Sequence, residues 1–134
     1  MPHLTLEYSD DLPAPVDFDA LFARLHAALA EAGPFPLAQI KSRAVPCRVF
    51  RIAAGAPGSV FVHLTVGILT GRDAAQRRRL GELLLGILRE VFARAWDERP
   101  CDLTVDVREI ERETYAKAMN DRARSATAGT GTRP

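Results

Sequence analysis

The sequence predicts an α/β (α+β) fold in which two β-α-β units form one four-stranded sheet with both helices on one face. Three observations lead to this prediction. Short segments alternate apolar and polar residues, as strands do, and two longer segments carry an apolar stripe at helical spacing. The segments His3–Leu6 and His63–Val66 open two similar series of these elements. A fold of two paired units accounts for this internal similarity. The length of 134 residues suits one domain.

The first unit is predicted over about residues 2–52. Its opening strand has alternating apolar positions, which are Leu4, Leu6 and Tyr8. A helix follows, with Asp17 as its candidate N-cap and the Gly33-Pro34 pair as its end. We expect the second strand near residues 44–52, where Pro46 indicates the edge of a sheet.

The second unit is predicted over about residues 60–110. The run 60–68 is apolar on nearly both faces, so we expect it to be a central strand. Asp73 and Gln76 have the spacing of a capping box and begin a long helix, which Pro100 closes. A fourth strand follows, with the alternating apolar residues Leu103, Val105 and Val107.

These units define a domain over residues 1–124, with a C-terminal segment after the fourth strand and a tail at 125–134 whose composition predicts disorder. With both helices on one face, we expect the opposite sheet face to be apolar and to need a cover. No segment remains to provide it, so the sequence predicts contact with other subunits. A ferredoxin-like sandwich has the same order of elements and stays the structural alternative.

The overall charge and the cysteine positions exclude several classes of function. The 18 basic and 17 acidic side chains leave a net charge of +1, which gives no general attraction to nucleic acid or to a membrane surface. No apolar stretch reaches the roughly 18 residues of a membrane span, and no signal peptide is evident, so we expect a cytoplasmic protein. Cys47 and Cys101 lie far apart and no histidines cluster, so no metal site is predicted.

Pro2 stands directly before the first predicted strand. A small second residue generally permits removal of Met1, and Pro2 would then carry a secondary amine at its nitrogen. An amide nitrogen cannot act as a base, whereas an amine can. The Met1-Pro2 pair alone is more often an ordinary chain start, so the remaining sequence has to support a catalytic role.

Three segments together carry a resemblance to a known family. They are the opening residues 1–10, the segment 35–43 and the segment 61–72. In their order and spacing they resemble the 5-carboxymethyl-2-hydroxymuconate isomerase family of the tautomerase superfamily. The resemblance covers nearly the whole chain except the tail. It implies a cofactor-free homotrimer of paired β-α-β units that uses an amino-terminal proline as its catalytic base.

The resemblance also implies a site. Pro2 would be the general base and acid that moves a proton along an unsaturated hydroxy or keto acid, and its pKa would have to be lowered for that role. Arg72 matches an arginine that follows a glycine and would bind a substrate carboxylate at a helix N-terminus. Lys41 stands where the family has arginine. Lysine keeps the positive charge but cannot make the two parallel hydrogen bonds that an arginine makes to a carboxylate. Arg43 is a second candidate to bind carboxylate, or a surface charge.

Two alternatives remain open from the sequence. One is a non-catalytic trimeric binding module that kept the fold and lost the chemistry, which the lysine at position 41 favours. The other is a different superfamily reaction, namely decarboxylation or dehalogenation of small unsaturated acids. His3 and His63 occupy equivalent strand positions, and we interpret both as structural.

Overall fold

The computed structural model describes residues 1–33 and 35–130. Its strands and helices follow one another in the order β1 (His3–Ser9), α1 (Phe18–Ala32), β2 (Lys41–Cys47), β3 (Val60–Leu69), α2 (Ala74–Val91), α3 (Ala93–Glu98), β4 (Cys101–Ile110) and α4 (Asp121–Thr130). A short 3-10 turn, Leu37–Gln39, precedes β2, and another, Arg112–Thr114, follows β4.

The four strands form one sheet in the order β2-β1-β3-β4. β1 pairs in parallel with β2, β3 pairs in parallel with β4, and the two units join through the antiparallel pair β1 and β3. In a ferredoxin-like sandwich another strand separates the parallel strands of each unit. Here they are direct neighbours, so the paired-unit prediction is confirmed, and so is the central position of β3.

One hydrophobic core lies between the sheet and the two long helices. The strands contribute alternate residues to it, and each helix contributes leucines one turn apart. The fully buried members are Leu4, Leu6, Leu21, Leu25, Leu29, Val62, Leu64, Val66, Ile68, Leu84 and Leu88. Both helices therefore cover the same face of the sheet, as the sequence predicts.

The opposite face of the sheet is mostly polar, with Val45 and Phe61 among its few large apolar residues, and the expectation of an apolar open face is wrong. Arg43, Thr5, Thr65 and Asp106 are cross-strand partners in one row across all four strands. β3 is buried only at alternate positions, because His63 and its neighbours on that side face away from the helices. The need to cover an apolar face therefore gives no argument for other subunits.

The helix ends follow the predicted capping signals, with one difference. The Asp17 carboxylate accepts from the backbone N–H of Ala20 at 3.0 Å, and Asp73 and Gln76 form the reciprocal capping box. The second long helix does not run to Pro100. It breaks at Phe92, whose backbone leaves the helical region at φ −99° and ψ 26°, and α3 follows. No helix in the described part of the chain is long and apolar enough to cross a bilayer.

The second strand begins earlier than its predicted position at residues 44–52. Lys41 is already paired opposite His3, and the parallel ladder runs from there to Cys47. The pairing with β1 decides the bounds of this strand, and the apolar residues after Pro46 lie in the following loop. β2 is an edge strand, as Pro46 predicts.

The C-terminal tail differs from the prediction of disorder over residues 125–130. These residues belong to α4, which begins at Asp121. The Asn120 side chain accepts from the backbone N–H of Ala123 at 2.8 Å, as an N-cap does. The remaining residues of the predicted tail, 131–134, lie outside the described part of the chain.

The core position of Leu64 yields a stability prediction. Leu64 is 0% exposed at the centre of β3, so Leu64→Ala should lower the free energy of unfolding by about 2–5 kcal/mol. Val49→Ala removes apolar atoms from a side chain that is 89% exposed and should change it by less than about 0.5 kcal/mol. Urea unfolding followed by circular dichroism measures both. Equal effects of the two substitutions would contradict this assignment of the core.

Candidate active site

The amino-terminal segment is enclosed at the edge of the sheet where β1 and β2 begin. Pro2 is buried, and its carbonyl accepts from the backbone N–H of Lys41 at 3.1 Å. Met1 is 7% exposed, and its ammonium group donates to the carbonyl of Gln39 at 3.1 Å. The chain start is therefore held between the first strand and the 3-10 turn that precedes the second.

This edge lowers the pKa of the terminal amine. Burial contributes most, followed by the positive charges of Lys41 and then Lys117, and the pKa of the Met1 amine falls from 8.0 to about 6. The Lys41 ammonium donates to the same Gln39 carbonyl at 3.3 Å, so both nitrogens share one acceptor. An amine in this position is mostly neutral at pH 7, which is the form that can accept a proton.

His3 connects the site to β2 and to the C-terminal segment. Arg43 donates through Nη2 to His3 Nδ1 at 3.2 Å and through Nη1 to Thr5 Oγ1 at 3.0 Å. A guanidinium group only donates, so Nδ1 of His3 is the acceptor and its Nε2 carries the hydrogen toward the Tyr115 hydroxyl at 3.1 Å. Burial, and then the charges of Arg43 and Lys41, lower the pKa of His3 and favour this neutral form.

Arg72 lies at the start of the second long helix, away from this network. Its Nε donates to the Gly33 carbonyl at 3.3 Å, and its guanidinium carbon is 4.0 Å from the centroid of the Phe35 ring. Its two Nη groups have no hydrogen-bond partner among the described residues. They face a cleft of about 260 Å³ between the end of α1 and the start of α2, which Gln76 and Arg79 also line.

The structure brings some of the predicted site residues together and separates others. Pro2 and Lys41 are hydrogen-bonded neighbours, and Arg43 is joined to them through His3, which directly follows Pro2. Within the described chain, Arg72 shares no hydrogen bond with any of the other three. A single chain therefore presents one cationic group beside the amine and a second at a separate cleft.

Three residues at the site were not predicted from the sequence. Gln39, Tyr115 and Lys117 all reach the amino-terminal edge. Gln39 lies within the segment 35–43 that carries the resemblance, but it was not singled out. Tyr115 and Lys117 follow the last strand, where neither periodicity nor spacing indicates their destination. No three His, Cys, Asp or Glu side chains form a metal-binding group in residues 1–33 and 35–130.

Comparison with known proteins gives close matches. Residues 2–125 match the family model of 5-carboxymethyl-2-hydroxymuconate isomerase. The 5-carboxymethyl-2-hydroxymuconate Δ-isomerase of Escherichia coli is 32% identical over 120 residues, which are 90% of this chain and 95% of that protein. The crystal structure of a 5-carboxymethyl-2-hydroxymuconate isomerase from Deinococcus radiodurans R1 aligns with a TM-score of 0.82 at 32% identity, covering 92% of this chain and 93% of that chain.

A more distant structure shows the same fold. A fused 4-OT protein, described as a symmetric trimer, aligns with a TM-score of 0.63 at 21% identity, covering 92% of this chain and 98% of its own. Together with the isomerase structures, it identifies the fold as that of the tautomerase superfamily, as the sequence predicts.

The His3 network yields a prediction about titration. Arg43→Gln removes a positive charge that lowers the pKa of His3, so the pKa of His3 should rise. Titration of the histidine ring by NMR measures the change. Arg48→Gln, at an exposed position after β2, is the matched control and should leave the His3 titration unchanged. An unchanged His3 pKa in Arg43→Gln would show that the two groups do not interact in solution.

Proposed function

Because the chain belongs to the 5-carboxymethyl-2-hydroxymuconate isomerase family and is an isomerase, we propose that it moves a proton along an unsaturated 2-hydroxy di- or tricarboxylate. The proposed substrate is 5-carboxymethyl-2-hydroxymuconate, after which the relative in Escherichia coli is named. One observation carries the proposal. The terminal amine is enclosed beside Lys41, and its pKa is lowered to about 6.

The proposed base is the Pro2 nitrogen after removal of Met1. Burial and the same two lysines that act on the Met1 amine would act on the Pro2 amine, one residue along the chain. The neutral amine would take the proton from the hydroxyl group on C2 of the dienol, leaving a dienolate. The resulting ammonium would return a proton to C5. The C2=C3 and C4=C5 double bonds of the dienol are then replaced by a C=O bond at C2 and a C=C bond between C3 and C4.

The position of Met1 supports this proposal. Met1 is only 7% exposed, and its amino group donates to the Gln39 carbonyl, so the residue before Pro2 occupies an enclosed position. Removal of Met1 would create the amine and open a sheltered space beside it in the same step. A sheltered space strengthens the interaction of the amine with charged groups of the substrate, since little water screens them.

The cationic side chains take different parts in the proposal. Lys41 lies beside the amine and would stabilise the negative charge of the dienolate or of the adjacent carboxylate. Arg72 lies at a helix N-terminus, and its two Nη groups have no hydrogen-bond partner in the described chain, an arrangement suited to a substrate carboxylate. Arg43 donates to Thr5 and His3 through both Nη groups, so we assign it to support the carboxylate site through its charge.

We also propose that the working form is a homotrimer in which Arg72 of one subunit completes the site of another. Two observations support this arrangement: among the described residues, Arg72 makes no hydrogen bond to the Pro2 edge of its own chain, and a protein of the same fold is described as a symmetric trimer. The polar rows on the open sheet face offer groups for hydrogen bonds between subunits.

The first test is the role of Pro2. Pro2→Ala replaces the secondary amine with a primary one and should lower kcat for 5-carboxymethyl-2-hydroxymuconate by at least about 100-fold, since general-base catalysis contributes on this scale. An ultraviolet assay follows the loss of the dienol. Mass spectrometry must show that both proteins lack Met1, and Pro57→Ala in an exposed loop is the control.

Two results would overturn the assignment of the base. One is full activity of Pro2→Ala, and the other is activity of wild-type protein that retains Met1. Absence of turnover by processed wild-type protein would instead reject the proposed substrate while leaving the family unchanged.

Arg72 can be tested together with the shared site. Arg72→Gln should raise KM or lower kcat by at least about tenfold, because a charge-assisted contact to a carboxylate is lost. Arg78→Gln, on the exposed side of α2, is the matched control and should behave as wild type. An equal mixture of Pro2→Ala and Arg72→Gln subunits, unfolded and refolded together, should recover about a quarter of wild-type activity if each site uses two subunits of a symmetric trimer.

No recovery in that mixture, in trimers shown to be hybrid, would place Arg72 and Pro2 in the same subunit's site. A monomer in light scattering would reject the trimer itself.

A further inference from the structure

A groove runs beside the amino-terminal edge, between the 3-10 turn Leu37–Gln39 and the C-terminal segment. Helix α4 packs against this turn and forms the far wall of the groove. The groove has a volume of about 460 Å³. It is lined by Ala38, Gln39, Lys117, Met119, Arg124 and Thr127.

The positively charged side chain of Lys117 lines this groove. It is exposed, and it makes no hydrogen bond or ion pair with any described residue. Arg124, the other cation of the groove, is already engaged, because it donates to the Asp121 carboxylate at 2.8 Å and to the carbonyl of Met119 at 3.3 Å. An ammonium group with no ion-pair partner, in a groove where none of the described lining residues is acidic, is suited to a carboxylate ligand.

The groove adjoins the amino-terminal edge, because both include Gln39. Gln39 lines the groove, and its carbonyl holds the terminal amine and the Lys41 ammonium. Lys117 is close enough to this point for its charge to lower the pKa of both the Met1 amine and His3. A substrate atom that received a proton from the amine would therefore lie close to this groove.

From this geometry we infer that Lys117 binds the carboxylate of the substrate's carboxymethyl arm and selects tricarboxylates over dicarboxylates. The inference rests on the proposed function. The tricarboxylate differs from 2-hydroxymuconate by a CH₂–COO⁻ arm on C5, the carbon that accepts the proton in the proposed reaction. When C5 lies beside the amine, the arm begins at the groove and points its charge toward Lys117.

The test measures KM for two substrates in the wild-type protein and in variants of Lys117. Lys117→Met keeps an apolar stem but removes the charge, so KM for 5-carboxymethyl-2-hydroxymuconate should rise about tenfold or more. KM for 2-hydroxymuconate, which lacks the arm, should stay within about twofold. Lys117→Arg should restore most of the selectivity, and Arg122→Met, on α4 but outside the groove, is the matched control.

The pH of the assay must be chosen so that the effect of Lys117 on carboxylate binding is separated from its effect on the protonation of the amine. Loss of the Lys117 charge also raises the pKa of the amine, which would shift the acid limb of both rate profiles to higher pH. Measurement on the pH-independent plateau of each variant's own rate profile, where the amine is neutral, removes that common effect.

Each outcome has a distinct meaning. A rise in KM confined to the tricarboxylate supports the assignment. Equal changes with both substrates on the plateau, or no change with either, would overturn it and leave the proposed function in place. Absence of wild-type turnover with both substrates would reject the proposed function and, with it, this role of Lys117.

Discussion

The candidate site depends on one backbone hydrogen bond, from the Lys41 N–H to the Pro2 carbonyl at 3.1 Å. This bond extends the parallel pairing of β1 and β2 to the first residues of the chain. It fixes Pro2 at the sheet edge and brings the turn before β2 alongside it, so that the Gln39 carbonyl can hold the terminal amine. Without this pairing the amine would be a solvated chain end with an ordinary pKa.

Electrostatics at this edge are local and do not follow from the overall charge. The chain is nearly neutral, with a net charge of +1, yet Lys41, Arg43 and Lys117 all lie near the first three residues. Their combined field favours the neutral forms of both the amine and His3, and it also favours anionic ligands. In the proposed reaction, the same charges would both lower the pKa of the base and attract an anionic substrate.

Much of the fold could be predicted from the sequence, because its signals are local. Leu4 and Leu6 mark a strand by their alternation, and Asp73 with Gln76 marks a helix start by its capping box. The bounds of β2 and the polarity of the open face were wrong, because they depend on strand register, which joins residues distant in sequence. For the same reason Lys117 was missed, since only the path of the chain after β4 brings it to the amine.

The segment after β4 connects the two ends of the described chain. Tyr115 bonds to His3, Lys117 acts on the amine of Met1, and α4 packs on the turn before β2. The hydrophobic core of the described chain, in contrast, is built from residues that precede position 111. Loss of the segment after β4 would therefore spare this core but take Tyr115 and Lys117 away from the first residues of the chain.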